Sequence, residues 1–100
     1  MKTIKVITDY GIKDCRTIGR ANEIKGELWQ LCEVPVKYMN CAEPLMIRKV
    51  IHLKTGGNLP IRGHSHKATV KDFMTDAAHF LNEIPDDAIK KELSSREVIN

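Results

Sequence analysis

The sequence predicts an α+β fold: an antiparallel β-sheet of hairpins or a meander, with a C-terminal amphipathic helix packed on one face and a short second helix. Three observations predict it. Short β-branched runs, separated by Gly and Asx turns, occupy the first two thirds of the chain. The apolar period then changes from two residues to 3.6 after residue 69. A Pro-Asp-Asp step follows and restarts a helix. At 100 residues, with no repeat, linker or low-complexity stretch, the chain is expected to form one domain spanning residues 1–100.

Thr3–Thr8 (TIKVIT) reads as the first strand, and Asp9-Tyr10-Gly11 as the turn after it. Cys15–Ala21 reads as a second strand in which Gly19 marks a bulge or a close contact. Lys25-Gly26 supplies a turn. Glu27–Val34 reads as a third strand, with Pro35 signalling an edge or a break. Leu45–Lys54 has the clearest alternation. Leu45, Ile47, Ile51 and Leu53 form an apolar face interrupted by Lys49, and Arg48, His52 and Lys54 lie on the other face. Thr55-Gly56-Gly57-Asn58 has the composition of a hairpin turn, and Leu59–Arg62 is expected to return as a short edge strand because Pro60 lacks an N–H.

Val70, Phe73, Met74, Ala77, Leu81 and Ile84 then recur at helical spacing. Ser65 or Thr69 is placed to cap this helix, and Thr69-x-x-Asp72 approximates a capping box. Pro85-Asp86-Asp87 opens the second helix, for which Ala88, Ile89 and Leu93 give a short apolar face. The tail from Ser94 to Asn100 is expected either to fray or to serve self-association.

Composition narrows the function classes. Apolar residues make up 42% and charged residues 29%, which excludes a disordered chain. A net charge of +3 and five aromatic residues are too little for a general nucleic-acid platform. No secretory leader and no run of membrane-spanning length is visible, so a cytoplasmic chain without a membrane partner is expected. Cys15, Cys32 and Cys41, odd in number and irregular in spacing, read as reduced thiols, with one disulfide and a leftover thiol as the alternative.

One feature breaks local rules. No acid occurs from Pro44 to Lys71, a span holding Arg48, His52, Lys54, Arg62, His64, His66, Lys67 and Lys71, whereas seven acids follow. Cations gathered where a helix begins oppose its dipole, and together with backbone N–H groups they compose an anion site. The competing reading is that these cations are neutralised by the C-terminal acids, within the fold or between copies, or are simply solvated.

Other chemistry is weakly signalled. His64-x-His66 after Gly63 resembles two residues of the cupin metal motif. Lys67-Ala68-Thr69-Val70 stands where that family carries its carboxylate, so a cupin is not inferred. A metal site of His64 and His66 with His52 or Cys41 is geometrically possible, because alternate residues of an extended segment share a face. A zinc site normally needs three or four convergent ligands, however, and no cofactor is expected. No Walker loop, dinucleotide fingerprint or zinc-protease motif occurs, so the chain is not expected to be an enzyme. Trp29 and Leu31 lie on one face of a strand whose other face is also partly apolar, which makes them protein-interface candidates.

Two functions are therefore expected. The first is a non-enzymatic binding protein whose basic surface engages a nucleotide, a nucleic acid or an acidic protein face. The second is a small inhibitor or adaptor acting through protein contacts, in the style of short bacteriophage proteins that block host defences. A homo-oligomer suits either.

Overall fold

The computed structural model describes residues 2–61 and 68–100. Its elements are β1 (Thr3–Thr8), β2 (Gly11–Ile24), β3 (Glu27–Val36), β4 (Leu45–His52), α1 (Val70–Asn82) and α2 (Asp86–Ser94). The four strands form an open antiparallel meander in the order β1-β2-β3-β4, which with the two helices gives an α+β fold.

The second strand is longer than its apolar pattern suggests because its halves serve different partners. Gly11 to Arg16 pairs with β1, and Thr17 to Ile24 pairs with β3. Most of its side chains face solvent, so no long apolar alternation marks it. Between Ile18 and Asn22 the register shifts at the expected bulge, where Gly19 takes a φ of +69°. A Cβ at Gly19 would lie 3.0 Å from Val70 Cγ2, so the bulge also lets the start of α1 approach the sheet. The Lys25-Gly26 turn has positive φ at both residues, as a tight hairpin with right-handed strand twist requires.

Pro35 breaks the pairing on one side only. Continuing the Thr17↔Cys32 and Ile18↔Leu31 register would set Asp14 opposite Pro35, which has no N–H to donate. On its other side Pro35 stays in register with Met46. The ladder between β2 and β3 already ends at Thr17↔Cys32, and from Arg16 back to Gly11 β2 travels with β1.

The outer edge of β1 then meets the far end of the chain. Ile7 N–H donates to Gly56 O at 2.9 Å, and the Asn100 amide donates to Lys5 O and Leu53 O and accepts from Lys5 N–H. The C-terminal tail is therefore docked and not frayed, with Ile99 N–H donating to Lys54 O at 2.8 Å. The reason is a mutual fit: both β1 and the turn after β4 present backbone groups that need partners.

Coiling of the sheet creates two apolar clusters. Trp29, Leu31, Val50 and Leu59 pack with Phe73, Met74, Ala77 and Leu81 of α1 and Ile89 of α2. On the opposite face, Ile4, Val6, Cys15, Cys32, Val34 and Ile51 form the second cluster. β3 and β4 are thus buried on both faces along much of their length. Full burial of each large side chain is worth about 1.5–3 kcal/mol. Trp29 and Leu31, expected at an interface, are core residues because α1 and α2 cover their face.

The split between an apolar and a charged face of β4 is corrected for the same reason. Val50 and His52 are buried, whereas Leu45, nominally on the apolar face, is exposed. The chain reverses at Leu53–Thr55 and returns through the single bridge Ile51↔Asn58, with Leu59 N–H donating to Val50 O. The return is not a strand, since Pro60 ends the pairing. The last residue of the expected return strand, Arg62, and the alternative cap Ser65 lie outside the described residues.

Thr69 and Asp72 form the anticipated capping box. Asp72 N–H donates to Thr69 Oγ1 at 3.2 Å, and Thr69 N–H donates to the Asp72 carboxylate at 2.9 Å. Pro85 caps α2, Asp86 and Asp87 fill its first turn, and Lys25 reaches across to Asp86 at 2.7 Å. Among the described residues no helix is long and apolar enough to cross a membrane.

Candidate functional site

Four of the expected anion-binding residues, Arg62, His64, His66 and Lys67, lie outside the described residues. The other four are not brought together. Arg48 and Lys71 both stand at the opening of α1, where Arg48 Nη1 donates to Ala68 O at 3.3 Å. Lys54 sits beyond the other end of β4, beside the docked tail. His52 is 2% exposed and belongs to the interior.

The α1 opening also differs from an anion site in its chemistry. A helix N-terminus attracts negative charge, and here the chain supplies it through the Asp72 carboxylate. One cation missed by sequence reasoning joins this region. The Gly19 bulge places Arg20 and Asn22 with Lys71 and Thr75 along an open groove of about 540 Å³ between β2 and α1. The bulge was legible at Gly19, but its pairing with the helix start was not.

His52 is held by a buried relay. Its Nε2 lies 3.0 Å from Glu27 Oε2, its Nδ1 lies 2.8 Å from Thr55 Oγ1, and Gly57 N–H points at the same hydroxyl. Since a carboxylate only accepts, Nε2 donates to Glu27, and Nδ1 shares a hydrogen bond with the Thr55 hydroxyl. The order acid–imidazole–hydroxyl is that of a nucleophilic triad, but Thr55 is 1% exposed, so its hydroxyl is turned into the fold. What the relay does is close the turn after β4, with the Trp29 ring 5.0 Å from the imidazole.

Two of the three thiols, Cys15 and Cys32, are buried and poor nucleophiles. Burial pushes Cys32 up to about 12, with Cys15 adding to the shift, and burial followed by the Asp14 charge raises Cys15. Cys41 is exposed. Among the described residues no group of three His, Cys, Asp or Glu is placed to hold a metal.

A surface of another kind stands at the end of the sheet carrying the β1–β2 turn. Ile7 and Ile12 are cross-strand partners whose side chains both face outward. Tyr10 follows in the turn, and Tyr38, Met39, Leu45 and Met46 flank or belong to the loop between β3 and β4. Met39 is 84% exposed, Ile12 55% and Met46 53%, well beyond what a side chain needs merely to cover a core edge. Two contacts tie the loop to the turn: Lys37 N–H donates to Asp9 Oδ2 at 2.9 Å, and Lys37 Nζ sits 5.3 Å from the Tyr10 ring centre.

Where β2 and β3 part, a cleft of about 390 Å³ opens into the same end. Tyr10, Pro35, Pro44 and Met46 line it with Lys13, Asp14, Arg16 and Glu33, and buried Cys15 contributes to its wall. Arg16 and Glu33 are ion-paired across the gap that the missing Pro35 donor leaves. This surface depends on the outward pairing of Ile7 with Ile12 and on the split at Pro35, neither of which local pattern isolates.

Compared with protein-family models, with curated protein sequences and with solved structures, the chain gives no match.

Proposed function

We propose that the protein is a non-enzymatic binding module that docks another protein through the apolar end formed by the β1–β2 turn and the β3–β4 loop. The observation carrying this reading is the concentration of large exposed apolar side chains, Ile7, Ile12, Tyr38, Met39, Leu45 and Met46, at one tied-down end of the sheet. Contiguous exposed apolar surface rimmed by polar groups is what association surfaces present. Lys13, Arg16 and Lys37 alternate around it with Asp9, Asp14, Glu33 and Glu43. A rim of both signs suits a protein face, whereas an anionic membrane or a phosphate backbone would be repelled by half of it. The inaccessible His52 relay and the raised buried thiols favour binding over catalysis. The adaptor or inhibitor role thus moves from Trp29 and Leu31 to this end.

The test is a comparative capture with wild type, an Ile12→Asp/Met46→Asp double variant and Lys71→Glu, each confirmed folded by circular dichroism. A partner held by wild type and Lys71→Glu but lost by the double variant is the expected result. A partner kept by the double variant and lost by Lys71→Glu overturns it.

The second reading is the basic surface. The groove that joins Arg20 to Lys71, with Arg48 at the same helix opening, favours it. Binding there to an anionic chain should fall steeply with salt.

A further inference from the structure

On the helical side of the sheet lies a separate cavity of about 260 Å³, bounded by the end of α1, by α2 and by Asn58–Pro60. Its interior is made by buried Trp29, Leu59, Leu81 and Ile89, with Ile84 and Leu93 beside them. At its opening stand Glu92 and Arg96, paired at 2.9 Å, with the Arg96 side chain 37% and the Glu92 side chain 65% exposed.

The guanidinium lies against Gly57. A side chain at Gly57 would collide with Arg96 Nη1. Gly57 is not in the left-handed region, so its backbone does not demand glycine. What the missing side chain provides is room for Arg96 at the edge of the cavity.

We propose that this cavity binds a linear aliphatic monocarboxylate, with the chain among Trp29, Leu59, Leu81 and Ile89 and the carboxylate on Arg96. The volume, about 260 Å³, lies below the roughly 300–1,000 Å³ of drug-sized sites and suits a short chain. An apolar pocket with a few polar groups at its mouth is the usual form of a small-molecule site. The head group is an anion because Arg96 is the more enclosed of the two mouth charges. Its exposed pairing with Glu92 contributes little and is readily exchanged for a two-pronged bond to a ligand carboxylate. This inference is independent of the apolar end, which lies elsewhere on the molecule.

Trp29 is the single tryptophan of the chain and lines the cavity, so its fluorescence reports occupancy. The full chain is titrated with octanoate, octylammonium and 1-octanol. A saturable change is expected, with octanoate at least tenfold tighter than octylammonium. Arg96→Gln should weaken octanoate about tenfold and leave octanol unchanged, and Ala88→Phe, at the cavity wall, should remove binding of all three. Amide shifts caused by octanoate in the wild type should cluster at residues 57–60 and 80–96. No saturable change, equal or tighter octylammonium binding, octanoate binding indifferent to Arg96→Gln, or shifts spread over the whole surface would each overturn the assignment.

Discussion

Gly56→Ala tests whether the C-terminal tail and β1 meet as the structure describes. Gly56 has a φ of +71°, and an added Cβ would lie 2.7 Å from Lys5 O and 2.6 Å from Ile99 Cδ1. The isoleucine tip can rotate away, but the carbonyl is backbone and cannot. Left-handed backbone with a side chain costs about 1–2 kcal/mol. Relieving the clash by moving β1 or the tail weakens the Ile7–Gly56 and Ile99–Lys54 hydrogen bonds, each worth about 1 kcal/mol. The sum is about 3 kcal/mol, a drop in Tm of more than about 10 °C for a domain of this size. Gly26→Ala is the control: Gly26 also has positive φ, but nothing lies within 4 Å of its ideal Cβ. It should cost only about 1 kcal/mol. Urea unfolding of both variants gives the comparison, and protease sensitivity of the tail should rise in Gly56→Ala alone. Equal losses in the two variants would refute the proposed packing of Gly56 between β1 and the tail.

Asn100→Ala removes three side-chain hydrogen bonds to Lys5 and Leu53 and should cost about 1–2 kcal/mol by urea unfolding. Thr69→Ala removes one half of the capping box and should cost about 1 kcal/mol, read by the same assay. In the native protein a thiol reagent should modify Cys41 rapidly and reach Cys15 and Cys32 only on unfolding, which stopped-flow absorbance separates. Because the folded Cys32 thiol titrates at about 12 against an ordinary 9.0, its contribution to stability is complete below pH 9 and is lost as pH rises from 9 towards 12. Cys32→Val should flatten that alkaline decline in thermal melts.

Local signals located most elements because their causes are local. The β-branched run at Thr3–Thr8 coincides with β1, the Thr69–Asp72 spacing forms the capping box of α1, and the α1 stripe of Phe73, Met74, Ala77 and Leu81 faces the core. Gly19 marks a true bulge. The binding surfaces were less legible. Trp29 has the composition of an interface residue, but burial depends on which element covers it, and α1 begins some forty residues later in the chain. His52 alternates onto a charged face by spacing, yet Glu27 and Thr55 draw it inward. Ile7 and Ile12 acquire meaning only once the turn between them sets both on the outer side of a hairpin.

What the sequence by itself determined is the α+β class, a helix start at Ser65 or Thr69 and the turn at Lys25-Gly26, since periodicity, capping chemistry and allowed φ act over a few residues. Only the tertiary structure decided that the tail docks on β1, that Pro35 opens the sheet toward one partner and not the other, and which apolar side chains remain exposed. Those outcomes follow from non-local competition for backbone hydrogen bonds and buried area, and that competition is resolved only when the whole sheet has coiled.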